Sequence, residues 1–310
     1  MTDSPVGRLL DQYDTFLFDC DGVIWSGSAV IPQAREAIAL LKKAGKDVCF
    51  VTNNSTSSRT QYHAKFARMG YTHVQPEDIF GSAFSAAYYL RHHTPLATSG
   101  LKVYVVGSQG ITDELDAVGL PWKGAAREPA MNDEPAGMAD LSQIGDDPEI
   151  GAVLMGFDLH INYVKLARAY TYLRTRREVA FYATNTDLQF PAANQTMYPG
   201  TGALISVLTT ALDREPDAVL GKPSPHMLDV ILESRHLDPK RTLMVGDRLD
   251  TDIAFGKHGG LGTLLVLSGV TSLDLVDQAT GEARPDYIAP SIGHLVDALG
   301  QPEDSSASAS

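Results

Sequence analysis

Asp19 and Asp21 stand one residue apart where an apolar run, Thr15-Phe16-Leu17-Phe18, ends, and Gly22 follows at once. Two carboxylates delivered by one strand can bind a hard cation while supplying both a nucleophile and an acid. Asp and Gly are also ordinary turn residues, so the pair alone decides little. Three further runs end in polar groups of other kinds. Val48-Cys49-Phe50-Val51 leads into Thr52-Asn53-Asn54-Ser55, a cluster of hydroxyls and amides. Ala218-Val219-Leu220 leads into Gly221-Lys222-Pro223, a single cation at a turn. Thr242-Leu243-Met244-Val245 leads into Gly246-Asp247, with Asp252 five residues on. Acids, then hydroxyl and amide, then a cation, then acids again, each at a strand end, is an order that random turns would not be expected to produce.

That order resembles the four-motif signature of the haloacid dehalogenase superfamily of phosphotransferases. The phrases Phe18-Asp19-Cys20-Asp21-Gly22-Val23-Ile24-Trp25, Val51-Thr52-Asn53-Asn54-Ser55 and Gly246-Asp247-Arg248-Leu249-Asp250-Thr251-Asp252 resemble its eukaryotic phosphoglycolate and 4-nitrophenyl phosphatase branch. The resemblance covers nearly the whole chain apart from the termini and a stretch near 123–149. It implies a Rossmann-like α/β core with a large inserted α/β cap, and hydrolysis of small phosphomonoesters through an aspartyl-phosphate. Asp19 is then the nucleophile and Asp21 the general acid and base. Mg2+ is held by Asp19, the Asp21 backbone carbonyl and Asp247. Thr52, Asn53, Asn54 and Lys222 bind the phosphate. Gly22 permits the tight bend between the acids. Asp252 is expected to orient Lys222 or a water on the metal, with an ordinary acid at a helix start as the competing reading; Thr251 reads as that helix's cap.

Substrate choice is expected to rest with the cap. Asp187-Leu188-Gln189-Phe190-Pro191 resembles the specificity loop of this branch, and Phe190 stands where pyridoxal phosphatases carry histidine. Arg59 resembles the phosphoglycolate-type sequence and can hold a carboxylate bidentately, although an arginine facing solvent at a helix start accounts for it as well. The expected substrate is a small phosphorylated metabolite, chiefly 2-phosphoglycolate, with 4-nitrophenyl phosphate as an artificial one. A pyridoxal 5′-phosphate or phosphoprotein phosphatase is the alternative, and a non-catalytic metabolite-binding module the alternative from another class. Members of the branch commonly dimerise through the cap, so a homodimer is expected.

Competing readings of the same residues are weaker. An EF-hand loop starting at Asp19 fails, because its twelfth position is Val30 and not Glu. His63, His92, His93, His226 and His258 show no metal-ligand spacing and read as structural. Gly200-Thr201-Gly202 reads as a turn returning the chain between domains rather than a phosphate cradle.

The 310 residues suffice for two domains, and 44% hydrophobic content is normal for a globular chain. A net charge of −13, from 25 basic and 38 acidic residues, argues against a nucleic-acid partner. Met1 to Leu10 lacks a secretion signal and no apolar run suggests a membrane partner, so a cytoplasmic protein is expected. Cys20 and Cys49 read as reduced, buried thiols.

The elements that must position these groups alternate. Strand 15–19 precedes a helix opening near Pro32 with Ala34, Ile38 and Leu41 on one face. Strand 47–51 precedes a helix from Arg59 to Met69 with Tyr62, Phe66 and Met69 on one side. A second series follows: strands 101–107 and 151–156, a helix over 162–174 with Tyr163, Leu166, Ala167, Tyr170 and Leu173 sharing a face, and strand 179–183. Then come helices 201–212 and 225–235, strand 242–245, helix 251–258 and strand 263–267. Such alternation predicts parallel sheets covered by helices. Domain boundaries are placed at 1–100 with 197–310 for the catalytic core and 101–196 for the inserted cap. The stretch 123–149 reads as a solvated loop, and Gln301 to Ser310 as a disordered tail.

Overall fold

The computed structural model describes residues 7–125, 141–191 and 196–299. The tail from Gln301 and most of the stretch 123–149 lie outside them. The chain divides into two compact units, Met1–Cys49 with Leu237–Ser310, and Phe50–His236.

In the first unit, strands run in the order Tyr287–Ala289, Gly262–Val266, Thr242–Gly246, Thr15–Phe18, then the opening residues of Asp47–Thr52. Every residue of Thr15–Phe18, Thr242–Gly246 and Gly262–Val266 is buried. Continuous burial, without polar alternation, is what a parallel strand covered on both faces requires. The Thr15–Phe18 strand lies parallel to Thr242–Gly246 with Phe18 opposite Val245. In-register parallel strands end side by side, so Asp19 and Gly246-Asp247 leave the sheet at the same edge. Helix Ala34–Lys43 buries Ala34, Ala37, Ile38 and Leu41, one face at helical spacing.

The helix expected at 251–258 differs. Leu249–Ile253 forms a π-helical turn, and the α-helix proper is only Ala254–His258. Thr251 is therefore not a cap; it is buried inside the π turn, whose preceding residue is Arg248. A wide turn of this kind accommodates an extra residue where side chains must converge, a pattern frequent at functional sites.

In the second unit, the end of the Asp47–Thr52 strand pairs in parallel with Ile79–Gly81. A separate five-stranded parallel sheet has the order Ala218–Val219, Ala180–Ala183, Ile150–Met155, Lys102–Val106, Trp122–Gly124. Alternate residues feed two cores. Val103, Val105, Ala152 and Leu154 pack with helices Ser82–His92 and Gln109–Ala117. Tyr104, Val106, Val153 and Met155 pack with helices Tyr163–Thr175 and Thr201–Leu212.

Three expectations change here. Helix Tyr163–Thr175 buries Lys165, Ala169, Tyr172 and Leu173, whereas Tyr163 is 69% exposed. The buried stripe is rotated from the one expected because Lys165 points inward to Asp158, at 2.8 Å in a fully buried ion pair. The described ends of the stretch 123–149 are also ordered: Trp122–Gly124 is an edge strand, and Lys123 pairs with Asp147 and Glu149. Helix Arg59–Arg68 buries Tyr62 and Phe66 but ends before Met69. Cys20 and Cys49 are buried free thiols. Among the described residues no helix is long and apolar enough to cross a membrane.

Candidate active site

The acidic residues gather in the first unit. Asp19, Asp247 and Asp252 are all buried, and each places a carboxylate oxygen within 4.8 Å of the others. The Asp19 amide continues the strand register by donating to the Val245 carbonyl at 2.9 Å. Asp247 Oδ2 accepts the Val270 amide at 2.7 Å. Asp252 Oδ2 accepts the amides of Asp247 and Arg248, both at 3.1 Å. The π turn thus sends Asp252 back to fix the loop that carries Asp247.

Three buried carboxylates so close repel one another unless a cation or protons compensate them. The donors are all oxygen and anionic, a hard set that fits Mg2+ better than a soft metal. Gly22 has φ +89°, and a Cβ there would lie 2.5 Å from Asp247 Oδ2, so only glycine lets the chain turn this close to the cluster. Asp21, by contrast, is exposed, and its Oδ1 accepts the indole N–H of buried Trp25 at 2.9 Å. An acid reachable from solvent beside a buried carboxylate cluster can exchange protons with a leaving group and with water.

The hydroxyl, amide and ammonium groups gather in the second unit. Thr52 closes its strand and is buried; its Oγ1 accepts the Asn54 amide at 3.2 Å. Asn54 is exposed and its Oδ1 accepts from Thr56 N and Oγ1 at 2.8 and 2.7 Å. Lys222, 2% exposed, donates from Nζ to the Val51 carbonyl at 2.9 Å. Asn53 clasps the Lys222 backbone: Oδ1 accepts its amide at 2.7 Å and Nδ2 donates to its carbonyl at 2.9 Å. Gly221 makes that clasp possible, since a Cβ there would lie 2.7 Å from Asn53 Oδ1.

The two specificity candidates have aromatic partners. Arg59 begins a helix capped by Ser58, whose hydroxyl and the Gln61 side chain form a capping box. Its guanidinium lies 3.4 Å from the Phe84 ring centroid, and its backbone N–H donates to Glu114. Burial works against the Arg59 charge, while Glu114 and Glu77 support it. Phe190 lies in a two-stranded hairpin, Gln189–Pro191 with Met197–Pro199, opposite Tyr198 and edge-on to Phe157 at 5.1 Å between centroids.

Three contributors have contacts that no motif assigns: Trp25 on Asp21, Asp187 on Asn53, and the Val270 amide on Asp247. Trp25 is signalled only by sitting four residues from Asp21. Asp187 is separated from Asn53 by 134 residues, and no spacing announces it.

Residues 16–121 match the model for haloacid dehalogenase-like hydrolases, and residues 219–295 match a second model for HAD-like hydrolases. The chain is 42% identical to a glycerol-3-phosphate phosphatase of Gallus gallus over 94% of its own length and 93% of the other. It is 38% identical to phosphoglycolate phosphatase 2 of Arabidopsis thaliana, over 97% and 98%. Identity to the 4-nitrophenylphosphatase of Schizosaccharomyces pombe is 40%, over 94% and 95%. Among solved structures, the p-nitrophenyl phosphatase of Archaeoglobus fulgidus superposes with a TM-score of 0.77 at 31% identity, covering 93% of this chain and 99% of that one. A glycerol phosphate phosphatase of Mycobacterium tuberculosis, in complex with magnesium, gives 0.75 at 28%, covering 93% and 77%. With the acidic cluster, the clasped lysine and relatives matched from end to end, the chain belongs to the haloacid dehalogenase-like hydrolases and is a phosphatase of their phosphoglycolate and 4-nitrophenyl phosphatase type.

Proposed function

We propose that this phosphatase is Mg2+-dependent and acts on small phosphorylated acids and alcohols, chiefly 2-phosphoglycolate. The observation that carries the reading is the convergence within 4.8 Å of Asp19 and Asp247, at the ends of paired strands, with Asp252 from the π turn that follows. Asp19, the Asp21 carbonyl and Asp247 would hold the metal, which when bound would offset the charge of phosphate and carboxylates. Asp19 attacks phosphorus and the bond to the leaving oxygen breaks, giving an aspartyl-phosphate. Asp21 gives its proton to the departing alkoxide. A water then attacks phosphorus, Asp21 takes the water's proton, and inorganic phosphate leaves with the Asp19 carboxylate restored. Proton transfer of this kind is worth about 10²–10⁴-fold.

In this reading Thr52, Asn54 and Lys222 serve the phosphoryl oxygens, and Asn53 serves them by holding Lys222. The segment 101–196 acts as a cap that joins two copies into a homodimer in the cytoplasm, with Phe190 inside it and Arg59 outside it selecting the organic part of the substrate. The relative 42% identical to this chain favours glycerol 3-phosphate as a second candidate substrate.

The test is turnover of 2-phosphoglycolate, glycerol 3-phosphate, pyridoxal 5′-phosphate, a phosphopeptide and 4-nitrophenyl phosphate by wild type and Asp19→Asn. The expected result is highest kcat/KM on the first and loss of at least about 10³-fold in the variant on all. Unchanged hydrolysis by Asp19→Asn overturns the mechanism. A preference for pyridoxal phosphate or the phosphopeptide overturns the substrate class. Sedimentation at micromolar concentration checks the dimer.

A further inference from the structure

Asp187 is joined to three parts of the second unit at once. Its Oδ2 accepts Asn53 Nδ2 at 3.0 Å. Its backbone amide donates to Asn185 Oδ1 at 3.1 Å, and its carbonyl accepts the Gly202 amide at 2.9 Å. The next carbonyl, of Leu188, accepts the Gly200 amide at 2.8 Å. These last two bonds close the base of the hairpin that carries Phe190. They also bring the backbone so near that a Cβ on Gly200 or Gly202 would strike Asp187 or Thr186.

Asn53 is correspondingly committed. Its two amide hydrogens go to Asp187 and to the Lys222 carbonyl, and its oxygen takes the Lys222 amide. A carboxylate only accepts hydrogen bonds. Rotating the Asn53 amide by half a turn would set its oxygen against both Asp187 and the Lys222 carbonyl and its NH2 against the Lys222 N–H, three repulsions in place of three bonds. Asp187 therefore reinforces the orientation of Asn53 that holds Lys222, through a charge-assisted bond stronger than a neutral one.

We infer that Asp187 is a positioning residue for phosphoryl transfer: through Asn53 it fixes the backbone of Lys222, and through its own backbone it ties that lysine to the Phe190 hairpin. The inference rests on the proposed role of Lys222 toward phosphate. Its distinguishing mark is a loss in kcat common to all substrates, because Lys222 meets only the phosphoryl group that they share. Phe190→Ala, acting on the organic part, alters KM from one substrate to another.

The experiment measures kcat and KM on 2-phosphoglycolate and 4-nitrophenyl phosphate for Asp187→Ala, Asp187→Asn, Asn53→Ala and the double variant Asn53→Ala/Asp187→Ala, with Lys222→Ala and Asp19→Asn as controls. Asp187→Ala is expected to lower kcat about tenfold or more on both substrates, in line with loss of a charge-assisted bond. Asp187→Asn keeps an oxygen that can face Asn53 Nδ2 and recovers most of that loss. The double variant is no slower than Asn53→Ala alone, since both changes break one chain of contacts. Wild-type kcat in Asp187→Ala, or losses that multiply in the double variant, overturn the inference. Should Asp187→Ala melt below the assay temperature, Asp187→Ser replaces it with the same criteria. Full turnover by Lys222→Ala or Asp19→Asn overturns instead the functional reading underneath.

Discussion

Trp25 donates its indole N–H to Asp21 Oδ1 at 2.9 Å from a ring that is wholly buried, while the acid it holds is exposed. An indole has one polar hydrogen and a large apolar body, so the core fixes the direction in which that hydrogen points. The strand hydrogen bonds agree with it: the Gly22 amide donates to the Trp25 carbonyl at 2.7 Å, and Asp21 and Trp25 form a β-bridge. One Asp21 oxygen is anchored by the indole N–H.

Trp25→Phe keeps an aromatic body and removes that anchor. The expected effect depends on the leaving group. Alkoxide departure from 2-phosphoglycolate needs a well-placed proton, so kcat should fall about tenfold, the scale of one hydrogen bond to a charged group. Nitrophenolate leaves with little help, so kcat on 4-nitrophenyl phosphate should fall less, through the water step alone, in which Asp21 acts as base for either substrate. Parallel turnover assays read the ratio, and an undiminished kcat on 2-phosphoglycolate rejects the role for Trp25.

The carboxylate cluster makes a prediction about stability that does not involve turnover. A divalent ion that binds only the folded chain raises stability by RT ln(1 + [L]/Kd), about 2.7 kcal/mol at a hundred times Kd. Thermal melting should therefore rise with added Mg2+ and fall back with a chelator. Asp247→Asn removes one of the charges and should flatten the response. Gly22→Ala should flatten it too, because its Cβ displaces Asp247 Oδ2, and the φ of +89° should cost about 1–3 kcal/mol besides. A Mg2+ response unaltered in both variants removes these residues from the metal site.

The chemistry was legible in the sequence because strand ends advertise themselves. Apolar runs stop where Asp19, Thr52, Lys222 and Asp247 begin, and helices Thr201–Leu212 and Pro225–Arg235 fall where periodicity places them. Helix Ser82–His92 was not legible for the opposite reason. It buries Ser82 through Ala87 as well as Leu90, nearly all round, and leaves no polar face to reveal a period. Thr251 misled because a π turn has no one-dimensional signature, and the face of Tyr163–Thr175 misled because the first of its buried residues is a lysine. Asp187 reaches Asn53 only through tertiary folding.

That lysine supplies the third prediction. Lys165 and Asp158 are each almost fully buried and 2.8 Å apart; Asp158 Oδ1 also accepts the His160 amide at 2.8 Å, fixing the loop after Phe157. Removing one member strands a buried charge, at roughly 3–5 kcal/mol. Lys165→Met and Asp158→Asn should each lower the urea midpoint sharply. The double variant Lys165→Met/Asp158→Asn, with no uncompensated charge, should recover much of the difference. Additive losses would show that the two side chains do not depend on each other.

Glu114 supplies a pH dependence with a definite sign. It is buried, which pushes its carboxyl above the usual range, while the Arg59 amide and guanidinium pull it back part of the way. A raised folded value means that the folded chain keeps its proton where the unfolded chain has lost it. Stability then declines as pH rises from the unfolded value of 4.5 through the raised folded one, because the folded chain must ionise a buried acid. Several carboxylates elsewhere shift the other way, Asp286 held low by Lys257 and Thr263 among them, so the melting curve of wild type alone mixes opposite trends. Glu114→Gln isolates the contribution: its amide oxygen can still accept the Arg59 N–H and it has no proton to lose. The melting temperature of the variant minus that of wild type should climb across the same interval and level off above it. A difference that stays flat from pH 4 to 8, or that falls, shows that burial does not govern this carboxyl.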